Sequence, residues 1–262
     1  MNKPAFLICI ILIANATFAQ NRELDSLNAF IQNYSLQDTV KVNALNVLSE
    51  QYQWTNFNSS LQFAEQALAL ATQLHYSKGI ATAKYLMGHC YWALGDNNIA
   101  IARALDGAQL AEEVKSETIL VESFQVLARS YMDQTAVDKA LSYINRADSL
   151  AQKNKNWDQM SRVYNLAGVI QFVKGRTDSA LFLYEKALAI AEENKLPKRN
   201  SARIVSNIGE CHFKNNPTLA FTYFEKALSI ARETGNRTVE AGTSGIMGAA
   251  LTKVGRYKEA ET

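Results

Sequence analysis

Apolar residues recur along this chain in steps of three and four. In Gly175–Glu193 they are Ala180, Leu183, Tyr184, Ala187, Leu188 and Ile190. That is the period of a helix with one buried stripe. The turn Gly175-Arg176-Thr177-Asp178 precedes it. Two positions of the stripe, Ala180 and Ala187, are small where burial alone would favour larger side chains. Small residues there let a neighbouring helix come close.

The same design repeats every 40 residues. Ala180 has counterparts at Ala100, Ala140, Ala220 and Ala260, and at Ser60. A second small column follows seven residues on, at Ala67, Gly107, Ala147, Ala187 and Ala227. Each repeat also carries an earlier helix, whose small residue is Ser49, Gly88, Ala128, Gly168, Gly209 or Gly248. Three residues beyond each of these stand Tyr52, Tyr91, Tyr131, Gln171, His212 and Leu251. Connections are marked by Gly95-Asp96, Gly175-Arg176, Asn215-Asn216-Pro217 and Gly255-Arg256. Gly and Asn accept the left-handed conformation that ends a helix, and Pro cannot continue one. Internal repeats of this length predict an all-α solenoid, an α-α superhelix of about six helix-pair repeats.

The array resembles tetratricopeptide repeats, whose pattern is W-x2-L-G-x2-Y, then A-x3-F, then a late P. The second repeat offers Met87-Gly88, Tyr91 and Ala100. The fourth offers Tyr164, Gly168, Ala180 and Tyr184, and the fifth Ile208-Gly209, Ala220 and Phe224. The likeness runs from Asp38 to the C-terminus. The leading Trp and the terminal Pro are missing, Ala104 stands where an aromatic is usual, and the period exceeds the family's common 34. The resemblance implies a right-handed superhelix with a concave binding face. The segments Asp38–Tyr52 and Leu68–Ala83 also resemble the N-terminal repeat regions of sensor histidine kinases and related signalling proteins of Bacteroidetes.

Residues 1–19 read as a secretory signal: Lys3, the apolar run Ala5–Ala14, then Thr17-Phe18-Ala19. Cleavage is expected before Gln20. Ten apolar residues are short for a membrane span. Residues 20–37, with Leu24, Leu27, Phe30, Ile31 and Tyr34 on one face, are expected to cap the array, and residues 38–262 to form it. Thr262 falls early in a helix pattern, after a helix expected over Thr243–Val254. The sequence thus reads as a fragment whose last repeat is incomplete. Removing residues 1–19 costs one charge, Lys3, and leaves a net charge of +1. No basic face of the kind that binds nucleic acid is evident.

Candidate chemistry is sparse. Beyond the signal only Cys90 and Cys211 remain, at equivalent places three repeats apart. At about 10 Å per stacked repeat they lie beyond disulfide reach and suit core positions. His75, His89 and His212 have no metal-ligand spacing. No nucleophile elbow, P-loop or dinucleotide fingerprint occurs. Glu112-Glu113 and Glu192-Glu193 read as solvated charge, and the glycines of residues 241–248 as packing sites. No catalytic residue, metal or cofactor is expected.

One surface remains. Tyr85, His89 and Trp92 form a stripe about a third of a turn from the face that meets the partner helix. Its equivalents are Gln125, Arg129 and Met132, then Asn165, Val169 and Phe172, then Ser206, Glu210 and Phe213. In tetratricopeptide proteins this stripe faces the concave groove. Trp92, Met132, Phe172 and Phe213 then make a ladder suited to an extended peptide or partner helix. The alternative is that they pack between successive repeats. The reading is an exported, periplasmic, non-catalytic scaffold that binds a protein or peptide. The alternative is the sensory front of a membrane signalling enzyme, a sensor histidine kinase with its catalytic domain beyond Thr262. Membrane contact is expected only through such a further segment.

Overall fold

The structure, a computed structural model, describes residues 24–256 and residue 259. The expected signal, its cleavage point and Ala260 lie outside the described residues. Residues 24–33 form helix α1. There follow α2 (Thr39–Tyr52), α3 (Phe57–Gln73), α4 (Ser77–Ala93), α5 (Asn97–Glu113), α6 (Glu117–Asp133) and α7 (Val137–Lys153). The rest are α8 (Trp157–Val173), α9 (Thr177–Glu193), α10 (Arg199–Phe213), α11 (Pro217–Glu233) and α12 (Arg237–Lys253). No strand occurs among the described residues, and the fold is an all-helical solenoid.

The helices keep a strict clock. From α3 on, starts fall 20 residues apart except at α10. Each ends with one left-handed residue: His75, Gly95, Lys115, Thr135, Lys155, Gly175, Lys195, Gly235 and Gly255. The N–H of Gly95 bonds to the Trp92 carbonyl at 3.0 Å, and that of Asp96 to the Tyr91 carbonyl at 2.8 Å. The two bonds satisfy carbonyls that the helix leaves open. The α2–α3 and α10–α11 connections have no left-handed residue. In the second of these Asn216 caps α11 by accepting from the Leu219 N–H, and Pro217 starts the helix. Thr135 is exposed, β-branched and held at φ 61°. Left-handed backbone strains such a residue by about 1–2 kcal/mol. Thr135→Gly, which itself loses some chain entropy on folding, is expected to raise the melting temperature by roughly 2–4 °C.

Pairing follows the small columns. A methyl group built on Gly168 would lie 2.5 Å from Cε1 of Tyr184, and one on Gly209 would lie 2.7 Å from Cε1 of Phe224. The ring from the second helix lies flat on the bare backbone of the first. The second repeat uses Ala104 in place of the ring, and a Cβ on Gly88 would meet the Ala100 carbonyl oxygen at 3.1 Å. In the first repeat the hydroxyl of Ser60 donates to the carbonyl of Ser49 at 2.7 Å across the same junction. Cys90 and Cys211 are buried and free, and burial pushes both thiols up to about 11.

Two expectations are corrected. The helix expected over Thr243–Val254, α12, begins at Arg237, where Asn236 caps it. Gly242 and Gly245 are not packing sites, because a Cβ on either meets nothing within 4 Å.

Candidate functional site

The even-numbered helices α2, α4, α6, α8, α10 and α12 each touch the next even one. The odd-numbered helices from α3 to α11 touch only even ones. The even set therefore converges on the inside of the superhelix. The superhelix also closes on itself. The hydroxyl of Thr238, at the start of α12, donates to the carbonyl of Trp54, just after α2, at 2.9 Å.

The first three repeats bring a cluster together along the even helices. The Arg129 guanidinium lies 5.7 Å from the Trp54 ring centre and 5.0 Å from that of Trp92. His89 packs edge-on against both indoles, at 4.6 and 5.3 Å. The Trp92 indole N–H donates to Asp133 at 2.8 Å. Tyr85 and Gln125 adjoin this cluster around a void of about 10 Å³, and both are buried. The two ring nitrogens of His89 have no hydrogen-bond partner. Burial first, then Arg129, Arg203 and Arg162, hold its imidazole well below the usual range, so it is neutral.

A larger cavity of about 100 Å³ lies beside this cluster, near the superhelix axis. Asn165, Arg129, Arg162, Arg199, Arg203 and Glu50 line it. Asn165 accepts from the Asn207 amide at 2.9 Å. Arg162 forks onto both oxygens of Glu122, at 3.0 and 2.6 Å, and reaches Asp158 at 2.8 Å. Burial opposes the charge on Arg162, but Glu122 and Asp158 outweigh it and raise its pKa. Arg129 has no such partner. Burial, with Arg203 and Arg162 nearby, lowers it to about 9. Burial lowers Arg203 as well.

The remaining stripe residues do not join this cluster. Met132 rests on the main core. Phe172 and Val169 rest on the cluster around Tyr164 and Tyr184. Phe213 meets Phe221 edge-on at 6.3 Å. Ser206 is buried and bonded to Thr243. Glu210 is partly buried, and burial raises its carboxyl. Trp54, Glu50, Glu122, Arg162 and Arg203 are site residues that the stripe omitted. The repeat register held a signal for three of them. Thr82, Glu122, Arg162 and Arg203 stand three residues before Tyr85, Gln125, Asn165 and Ser206, one helical turn back on the same face.

Glu50 lies exposed at the cavity mouth, yet loss of water raises its carboxyl above the usual 4.5. Glu122 adds to the rise, Asp158 adds less, and Arg162 and Arg199 oppose it. The folded chain thus binds this proton more tightly than the unfolded one. The associated stability is complete below 4.5 and is lost as pH rises through the folded value. Glu50→Gln is expected to flatten this part of the pH profile. The variant should gain melting temperature over the wild type as pH rises above 4.5.

With the geometry in place, comparison with known proteins gives the same architecture. Residues 161–194, the α8–α9 pair, match the tetratricopeptide repeat model. That pair matches the repeat family, and the solenoid as a whole is tetratricopeptide-like in fold. No curated protein matches the sequence. Among solved structures, the apo form of RapI aligns with TM-score 0.71 at 14% identity, covering 96% of this chain and 93% of its own. A Rap protein complexed with competence and sporulation factor aligns with TM-score 0.68 at 13% identity, covering 90% and 76%. NprR with its cognate peptide NprX aligns with TM-score 0.66 at 15% identity, covering 98% and 75%. At these identities the likeness is one of fold. Among the described residues no cluster of His, Cys, Asp or Glu could hold a metal, and no helix is long and apolar enough to cross a membrane.

Proposed function

We propose that this tetratricopeptide-like chain is a scaffold that binds a peptide or protein segment on the inner face of its superhelix, without catalysis of its own. The observation that carries the reading is the partly exposed Trp54–Arg129–Trp92 group on that face, where aromatic and Arg anchors concentrate binding energy. The fold relatives lend support: a Rap protein is held in complex with competence and sporulation factor, and NprR with the peptide NprX. The scaffold is proposed to act after export, in the periplasm, on the strength of the N-terminal pattern Lys3 to Ala19. A second reading, the sensory part of a membrane signalling protein, draws on the resemblance of Asp38–Tyr52 and Leu68–Ala83.

The test is selection of a displayed random-peptide library on the immobilised protein, followed by affinity measurement of the selected peptides. Trp92→Ala is expected to weaken them about tenfold or more while the helical circular dichroism signal persists. No selected binder, or binders indifferent to Trp92, would overturn the reading. N-terminal sequencing of exported protein tests the location, with Gln20 or a close neighbour as the expected first residue.

A further inference from the structure

The axial cavity carries more positive charge than its own carboxylates balance. Four arginines line it, against Glu50 and Asp158. Asp158 is engaged by Arg162 and also accepts from Asn200 at 2.5 Å. Glu122, behind the wall, is engaged by Arg162 through both oxygens. Arg129 and Arg203 are left without an ion pair or hydrogen bond among the described residues. Burial disfavours the charge on both, and Arg203 adds to the effect on Arg129. Two like charges facing one low-dielectric space are costly unless a counter-charge joins them.

The shape of the site favours an oxygen anion. The Arg129 guanidinium carbon lies over the Trp54 and Trp92 rings, and the N–H edge of the group has no hydrogen bond among the described residues. That edge is the part of arginine that matches carboxylate and phosphate oxygens. Asn165 already accepts from Asn207, which leaves its own amide N–H groups as donors. A volume of about 100 Å³ is well below the 300 Å³ or more of sites that enclose a whole drug-sized ligand. It suits one small polar group.

We propose that this cavity binds a single small oxyanion, of carboxylate or phosphate chemistry, between Arg129 on α6 and Arg203 on α10. The site shares Arg129 with the proposed peptide-binding face, whereas Arg203 belongs to the cavity alone, so Arg203→Gln tells failure of one from failure of the other. Its cavity is lined from α2, α6, α8, α10 and α12, so a bound anion ties together repeats that are not adjacent in sequence. It thereby reinforces the closure that otherwise rests on Thr238 and Trp54.

The test titrates the full chain with sodium acetate and, separately, sodium phosphate, against sodium chloride at equal ionic strength. Two of the three tryptophans, Trp54 and Trp92, flank Arg129, so their emission reads the site directly. A saturable emission change is expected with acetate or phosphate and not with chloride. Melting temperature should rise with it, by roughly 5–10 °C at about a hundredfold excess over Kd. A response to acetate assigns carboxylate chemistry, and one to phosphate alone assigns phosphate. Arg203→Gln, which disturbs no aromatic contact, should weaken binding about ten- to a hundredfold, the size of a charge-assisted hydrogen bond. Arg129→Gln should do the same. If neither anion exceeds chloride on the wild-type chain, or if both variants keep wild-type affinity, the site does not exist.

Discussion

Phe224→Ala is expected to destabilise the fifth repeat by about 3–5 kcal/mol, the usual cost of removing a buried aromatic ring. Phe224 is fully buried, and its ring covers the backbone of α10 at Gly209. Loss of the ring leaves a space that α10 and α11 cannot close, because the Ala220 contact already sets their separation. The reverse change tests the same junction from the other side. Gly168→Leu must displace the Tyr184 ring, and Ala180→Leu wedges apart α8 and α9. Each should cost about 1–3 kcal/mol or more by overpacking. Chemical denaturation followed by circular dichroism reads the total, and amide exchange shows whether the loss is confined to the altered pair. Wild-type stability in all three variants would refute the view that ring-on-glycine packing sets the helix spacing.

Glu122→Ala is expected to cost about 3 kcal/mol, because it strands the Arg162 guanidinium away from water. Both side chains are largely enclosed, at 16% and 26% exposure. Glu122 also accepts from Gln159 at 3.0 Å, so its loss frees a second buried donor. Asp158 remains as a partner for Arg162 and limits the damage. Arg162→Met alone should cost less, since Gln159 still reaches Glu122. The double variant Glu122→Ala, Arg162→Met should recover much of the loss, because the enclosed charges are then both gone and the more exposed Asp158 keeps Asn200. A double-mutant cycle at neutral pH measures this coupling. Additive losses would show that the pair does not bridge α6 and α8.

Much of this architecture can be read from residues alone. The helix faces, the small columns and the 40-residue period are local properties, since a buried stripe and a close approach each demand particular side chains at particular steps. Turns carrying glycine, at Gly95, Gly175 and Gly255, declare themselves for the same reason. The turns at His75, Lys115, Thr135, Lys155 and Lys195 do not. Lys and Thr do not favour left-handed backbone and His only modestly, and the helices packed on either side hold them there. A stripe on the even helices could be drawn from the repeat register, but not which residues of those helices meet. Trp54 and Thr238 touch across 184 positions of chain. That contact, and with it the arginine-lined cavity, depends on small rotations accumulated from one repeat to the next. A repeat register contains the step and not the rotation, so the closure of the superhelix was settled only in three dimensions.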